Sequence, residues 1–392
     1  MFEEVIESLL KNKCIRRDFW ARSFYLKKRA EPGSIDWESM ILPGWTTDAN
    51  GKLMHVNLFK RSWGRICMGK YAGCMEYAKS QLPKKALFAF NFCADAVVGT
   101  TIGKVLALPF VQRDEKLKKD IIAGVQREVR IKEKELAHLK SFFPRAKMQV
   151  GGQAGFGAAT AHSLGVKPTV FTASATRFPR LQNLPVHFVF EYSARGGKRN
   201  RIIAAHEEKN IIPSIVPKKM MGFSHIFLGG FHLLKSREDM LRAARMLMLL
   251  KKRNPNAKTF VETGEFLEKE CVCAFRNSIL PFADCVGLNE VELHQLTGKR
   301  GKNALDVLSK KVQKILYHAP SSAIAYPHEK NDAQAILFAK IVASYAAKYG
   351  KRGRLGELCA YAKNAKSLHV KNPKYTVGLG DTFSCAYFLV SE

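Results

Sequence analysis

"HIFLGGFHLLKSREDMLRAARMLMLLKKRNPNAKTFVET", residues 225 to 263, decides the fold. Two short apolar runs, HIFLGG and KTFVET, bracket SREDMLRAARMLMLLKKRN, whose apolar residues recur at helical spacing, so the stretch predicts strand, helix, strand. The alternation continues with a helix near 266 to 279, the strand DCVGLN (284 to 289), the helix EVELHQL (290 to 296), a helix near 303 to 317, the strand SSAIAYP (321 to 327) and the helix NDAQAILFAKIVASYAAKYG (331 to 350). Repeats of this length predict an α/β fold built on a doubly wound central sheet of parallel strands, flanked by helices on both faces. In such sheets ligands gather at the carboxyl ends of the strands.

Upstream, KKALFAFNFCADAVV (84 to 98) is an apolar run suited to one buried strand, with polar Asn91 and Asp95 near its end. A basic region that mixes in acids at helical spacing follows to about residue 143 and predicts solvated helices. Then MQVGGQAGFGAATAHSLGV (148 to 166) reads as a glycine loop entering a small-residue helix, and KPTVFTAS (167 to 174) as a strand. VHFVFEYSARGGKRNRIIAAH (186 to 206) reads as two strands around a glycine turn, alternating like a sheet exposed on one side. Residues 1 to 84 form an N-terminal extension in which WTTDANGKLMHVNLF suggests two strands joined at Asn50-Gly51.

The chain has 392 residues, nearly half of them apolar, which predicts two domains or one large domain with a lid. Its net charge of +30 draws anions, from nucleotides and sugar phosphates to nucleic acid. No basic stripe interleaved with aromatics and no nucleic-acid motif accompanies that charge. Nine cysteines without a CxxC pair indicate neither a disulfide framework nor a zinc cluster, and predict reduced thiols and hence a cytoplasmic location. Cys271 and Cys273 read as small apolar fillers of a buried segment. The N-terminus MFEEVIESLLKNK reads as an amphipathic helix rather than an export signal. No apolar run approaches the roughly 18 residues of a membrane span.

GRICMGKY (64 to 71) has the glycine and lysine spacing of a phosphate loop, but Tyr71 stands where a hydroxyl should hold magnesium, so the match is a coincidence. VGLGDTFSC (377 to 385) bears a mechanistic reading. Gly378 and Gly380 let successive amides, including that of Leu379, converge at the start of a helix, where they face an incoming phosphoryl group. Asp381 stands at that edge as a general base. Alternatively, Asp381 merely caps the helix. In DCVGLNEVELHQLTG (284 to 298), Asn289 and Glu292 are one helical turn apart, which either brings them to one hydrated cation or makes a capped helix with an acidic first turn. Glu262, ending KTFVE, adds a further carboxylate at the same edge.

Taken together, GLGD (378 to 381), NEVE (289 to 292), GGQAG (151 to 155) and FNFCADAVV (90 to 98) resemble the motifs of the archaeal ADP-dependent sugar kinases, the glucokinase and phosphofructokinase group of the ribokinase-like superfamily. The resemblance spans residues 85 to 392 and implies a smaller α/β lid formed by segments near 98 to 150 and 185 to 215. It implies transfer of the terminal phosphate of ADP, with Mg2+, to glucose or fructose 6-phosphate in glycolysis. Asp381 would be the base, with Gly378, Leu379 and Gly380 as the anion hole. Asn289 and Glu292 match an NxxE pattern that positions magnesium through water, and Glu262 matches the glutamate of an HxE pattern whose histidine is here Phe260. Asn91, Asp95, Gly151, Gly152 and Gln153 match sugar-contacting positions. Glu128 aligns with a glucose-selecting glutamate, and His187 and Arg201 stand where the family approaches the sugar or its phosphate. The same scaffold also accommodates a ribose 1-phosphate or nucleoside kinase, or a nucleic-acid-binding protein on a kinase fold. Partners are thus a nucleotide and a sugar or sugar phosphate, with no membrane; the sequence is silent on oligomeric state.

Overall fold

The structure, a computed structural model, describes residues 45–47, 53–55, 71–173, 181, 184–194, 199–206, 211–319, 322–365, 367–370, 373–374 and 377–391. The chain divides into two compact units, Met1–Met68 and Gly69–Glu392. In the first, β1 (Trp45–Thr47) and β2 (Leu53–His55) pair antiparallel, Trp45 opposite His55, as expected of strands flanking Asn50-Gly51. The expected N-terminal helix and residues 64 to 70 of the phosphate-loop look-alike lie outside the described residues.

The second unit opens with α1 (Ala72–Gln81) and then runs β3 (Lys85–Phe90), β4 (Cys93–Gly99), three short helices α2 (Ile102–Leu106), α3 (Pro109–Gln112) and α4 (Glu115–Ile122), β5 (Arg127–Ile131), α5 (Glu133–Phe142), β6 (Lys147–Gly151), α6 (Gln153–Ser163) and β7 (Lys167–Val170). It continues with β8 (Val186–Ser193), β9 (Arg199–His206), β10 (His225–Gly229), α7 (Arg237–Arg253), β11 (Lys258–Glu262), α8 (Lys269–Ser278), β12 (Cys285–Leu288), α9 (Glu290–Thr297), α10 (Gly301–Leu308), β13 (Lys314–His318) and β14 (Ala323–Tyr326). Three helices close it: α11 (Asp332–Tyr349), α12 (Leu355–Asn364) and α13 (Leu379–Val390).

Seven strands form the central sheet in the order β14-β13-β12-β11-β10-β3-β7, parallel except for β14. Each strand alternates its side chains between faces. Leu87, Ile226, Val261 and Ile315 therefore join the core under α7, α8, α9 and α10, while Phe88, Phe227, Phe260 and Leu316 join the core under α6, α11 and α13. The doubly wound arrangement follows from strands apolar on both sides. Helix α7 shows the local logic: Ser236 Oγ accepts the Asp239 amide at 3.1 Å, acids fill the first turn, and Lys251, Lys252 and Arg253 fill the last, each charge opposing the helix dipole.

A second sheet, β5-β9-β8-β4-β6, carries α2 to α5 on one face. Here the structure departs from the sequence reading. The run from 84 to 98 is two strands in two sheets, with Asn91 and Phe92 as the crossing, because each half is apolar enough to pass for part of a single strand. Residues 127–131, expected within a helical region, form the strand that carries Glu128. The helix expected to 317 stops at Leu308, and Lys314–His318 enters the central sheet beside the antiparallel β14. Cys271 is buried as expected, whereas Cys273 is exposed.

Candidate active site

Strand β3 is flanked by β7 on one side and β10 on the other, which makes the carboxyl end of β3 the point where strand order diverges. Asn91 lies there, its amide donating to Gly229 O at 3.3 Å. Around it end β10, β11 with Glu262 and Thr263, β12 with Asn289, and β13 with His318. The start of α13 reaches the same edge, where a methyl group on Gly380 would lie 3.2 Å from His318 Cε1.

Gly378 precedes α13 in the left-handed region (φ 66), and a methyl group there would lie 2.6 Å from ring atoms of buried Phe156. Only glycine meets both demands. The first helical hydrogen bond runs from Thr382 N to Gly378 O at 2.9 Å, so the amides of Leu379, Gly380 and Asp381 lie ahead of the ladder, where a helix start favours anions. Asp381 is the third residue of the helix, whose N-cap is Gly378, so Asp381 does not stand at the cap position.

Asp381 is half-buried, and its carboxyl is pushed up to about 7, first by loss of solvent and then by the charge of Glu262; Arg201 and His318 oppose the shift. His318 Nε2 donates to Glu262 Oε1 at 3.3 Å. Burial works against a charged imidazole, but the bond to Glu262 and the charges of Glu262, Glu292 and Asp381 prevail and raise its pKa. Glu292 is likewise raised, chiefly by burial and against the hydrogen bond from Thr263. Three carboxyl groups and one imidazole thus share a single electrostatic environment.

Asn289 and Glu292 form a reciprocal cap. Asn289 Oδ1 accepts the amides of Val291 and Glu292 at 2.8 and 3.1 Å, its Nδ2 donates to Glu292 Oε1 at 2.8 Å, and its own amide donates to Glu292 Oε2 at 2.9 Å. Thr263 Oγ1 donates to the same Oε2 at 2.7 Å. The capped-helix alternative is therefore present, and it fixes the Glu292 carboxylate while occupying the Asn289 amide. Glu262 Oε2 is buried without a protein partner. An all-oxygen set with that spare acceptor suits a hard, hydrated cation such as Mg2+.

The second sheet supplies the opposite wall. Its pairing puts Asp95 beside His187, Glu191 beside Arg201, Glu128 beside Ile203 and Cys93 beside Gly151. Because faces alternate, Cys93, Asp95, Glu128, Gln149, His187 and Arg201 share one face, opposite the one packed by α2 to α5. Burial raises the Asp95 carboxyl to about 6, opposed by His187, by the Cys93 thiol and by Arg201. Arg201 therefore acts on both Asp95 and Asp381. A methyl group at Gly151 would lie 2.0 Å from Asp95 Oδ1, so glycine makes the room that this carboxylate occupies. Gly152 precedes α6 with φ 74. Gln153 braces the backbone: its Oε1 accepts the Gly230 amide at 2.7 Å and its Nε2 donates to Thr263 O.

The sequence reading missed His318, Thr263 and His232. His232 is buried beside Gly264, its Nδ1 has no protein partner, and burial lowers its pKa while the charge of Glu128 opposes. Each of the three lies at or just beyond the carboxyl end of a central strand, the signal that would have found them. Phe260, at the HxE position, is a core residue stacked on Phe227 with ring centroids 5.2 Å apart, so the imidazole that reaches Glu262 comes from β13.

A structure described as an ADP-dependent kinase complex with fructose-6-phosphate and ADPβS is similar over 86% of this chain and 98% of its own, with 15% identity and a TM-score of 0.64. The last common ancestor of ADP-dependent phosphofructokinases from Methanosarcinales is similar over the same shares, with 16% identity and a TM-score of 0.62. A phosphofructokinase from Pyrococcus horikoshii OT3 with AMP is similar over 79% of this chain and 98% of its own, with 16% identity and a TM-score of 0.55. These likenesses show that the chain shares the fold of these kinases. No curated protein matches the sequence. The family model for the ADP-specific phosphofructokinase/glucokinase conserved region matches residues 111–326, more than half of the chain, although it stops short of residues 378 to 381. The chain belongs to the ADP-specific phosphofructokinase/glucokinase family.

Proposed function

We propose that the protein transfers the terminal phosphate of ADP to a sugar hydroxyl, giving AMP and a sugar phosphate. The observation that carries this reading is the position of Asp381: a carboxyl group with its pKa lifted to about 7, held beside helix-start amides at the edge where the strands end. The lifted pKa makes it a competent proton acceptor near neutrality. The sugar oxygen gives up its proton to Asp381 and bonds to phosphorus as the bond to the leaving phosphate oxygen of AMP breaks. The amides of Leu379, Gly380 and Asp381, with Arg201 nearby, stabilise charge on the transferring group.

Glu262 and Glu292 would hold Mg2+ through water, with Asn289 orienting Glu292. When bound, the metal neutralises phosphate charge. Asn91, Asp95, Glu128 and His187 contact the sugar, with Gly151 and Gly152 allowing its close approach and Gln153 bracing the loop. The second sheet acts as the lid that excludes water. Asp95 and Glu128 repel a phosphorylated acceptor, so a neutral hexose such as glucose is favoured. Fructose 6-phosphate is the second reading, favoured by Arg201 on the same face. Free cysteines suit a reducing cytoplasm, and no helix among the described residues is long and apolar enough to cross a membrane. Glycolysis is the setting in which such a product is consumed.

The test is AMP formation from ADP and from ATP controls across glucose, fructose 6-phosphate, ribose 1-phosphate and nucleosides. Glucose-dependent AMP release that disappears in Asp381→Asn supports the proposal; turnover unchanged in that variant overturns it. Glu128→Ala should raise KM for glucose more than for fructose 6-phosphate, and equal changes would remove Glu128 as a selector.

A further inference from the structure

We propose that Cys93, Asp95 and His187 form a binding site for a thiophilic divalent cation of the zinc class, on the cleft face of the second sheet. Cys93 and Asp95 are two apart on β4 and so point the same way, and Asp95 pairs directly with His187 on the neighbouring β8. One sulfur, one carboxylate oxygen and one imidazole nitrogen from the three lie within 4.8 Å of one another, and all three residues are buried. Cys93 Sγ is 3.5 Å from Asp95 Oδ1. Tetrahedral zinc, with bonds of about 2.0–2.3 Å, holds its ligand atoms roughly 3.5 Å apart, so this pair already has the required spacing.

The donor types decide the metal. Thiolate with imidazole and a single carboxylate suits Zn2+ or Co2+, whereas Mg2+ prefers oxygen donors, the only kind that Glu262 and Glu292 offer. Three protein donors leave a fourth position open. The groups facing the cluster are Glu128, which favours a cation, Arg201, which opposes one, and buried His232, which interacts with His187 and opposes one when protonated. Binding releases the Cys93 thiol proton to solvent, so affinity increases with pH. The absent side chain of Gly151, opposite Cys93, leaves the Asp95 carboxylate the space to serve as a ligand.

The consequence for activity rests on the reading of Asp95 as a sugar contact: cation and sugar then exclude each other, and zinc inhibits competitively with the sugar and not with ADP. The site itself is tested without turnover. Co2+ added to the metal-free full chain should give one equivalent of a thiolate-to-cobalt charge-transfer band, removed by excess Zn2+ and unaffected by excess Mg2+. Cys93→Ser should abolish the band, and His187→Gln should weaken Co2+ binding at least about tenfold in a chain that retains its thiol, the two variants together guarding against a folding defect in either. Absence of the band in the wild type, or its persistence in Cys93→Ser, overturns the proposal. If the band behaves as expected but glucose does not weaken Co2+ binding, the metal site stands and the assignment of Asp95 to the sugar falls.

Discussion

Replacing Gly378 by alanine probes the start of α13 directly. The residue has φ 66, and an L side chain in that region costs about 1–2 kcal/mol. Its new methyl group would also meet three ring atoms of Phe156 at 2.6 Å, well inside the ordinary contact range that begins at 3.4 Å. Phe156 has little room to yield, since it is 4% exposed and the Arg352 guanidinium stacks 5.2 Å from its centroid. The helix start and the ring must therefore part by about 1 Å, a displacement that at a reacting centre costs on the order of 10²-fold in rate. We expect kcat for AMP formation to fall by about that factor while KM for the sugar changes little, with a decrease of only a few degrees or so in Tm. Adding Phe156→Leu should restore part of the lost rate by giving the methyl group space. Near-normal kcat in Gly378→Ala, or a loss matched by the fraction of unfolded protein, would refute the reasoning that these amides act at the transferring phosphate.

With the Asp381 pKa at about 7, kcat/KM should fall tenfold per pH unit below that value, because the base is lost as it protonates. Glu262→Gln removes the neighbouring charge, lowers the Asp381 pKa and moves this acid limb to lower pH; a limb that stays in place would show that the two groups do not interact. Gly151→Ala should displace the Asp95 carboxylate and raise the sugar KM at least about tenfold, measured by steady-state kinetics, with ADP KM unaltered. In the core, Lys314→Met removes the cation paired with buried Asp332 at 3.1 Å, leaving that carboxylate with only neutral donors, Tyr387 OH at 2.6 Å and the Glu329 amide at 2.7 Å among them, and should cost about 3–5 kcal/mol in urea denaturation.

Much of the central sheet was legible in the chain itself. The units around β10, α7 and β11 announce themselves because burial against a neighbour imposes a local period on apolar residues, and GLGD announces the start of a helix because glycine is needed where the backbone turns left-handed. The same periodicity was silent at residues 84 to 98, where two buried strands in different sheets carry one continuous apolar signal, and at 314 to 318, where a short strand was absorbed into the helix before it.

Sequence alone determined that residues 225 to 297 alternate between strands and helices, and that a glycine-flanked carboxylate opens the last helix. Only the tertiary structure decided which distant side chains meet: His318 with Glu262, Thr263 with Glu292, Arg201 within reach of both Asp95 and Asp381, and Cys93 and Asp95 with His187. The reason is physical. A local pattern reports which face of an element is buried, whereas strand register is set by hydrogen bonding between segments far apart in the chain, and it is register that brings the groups of the candidate site together.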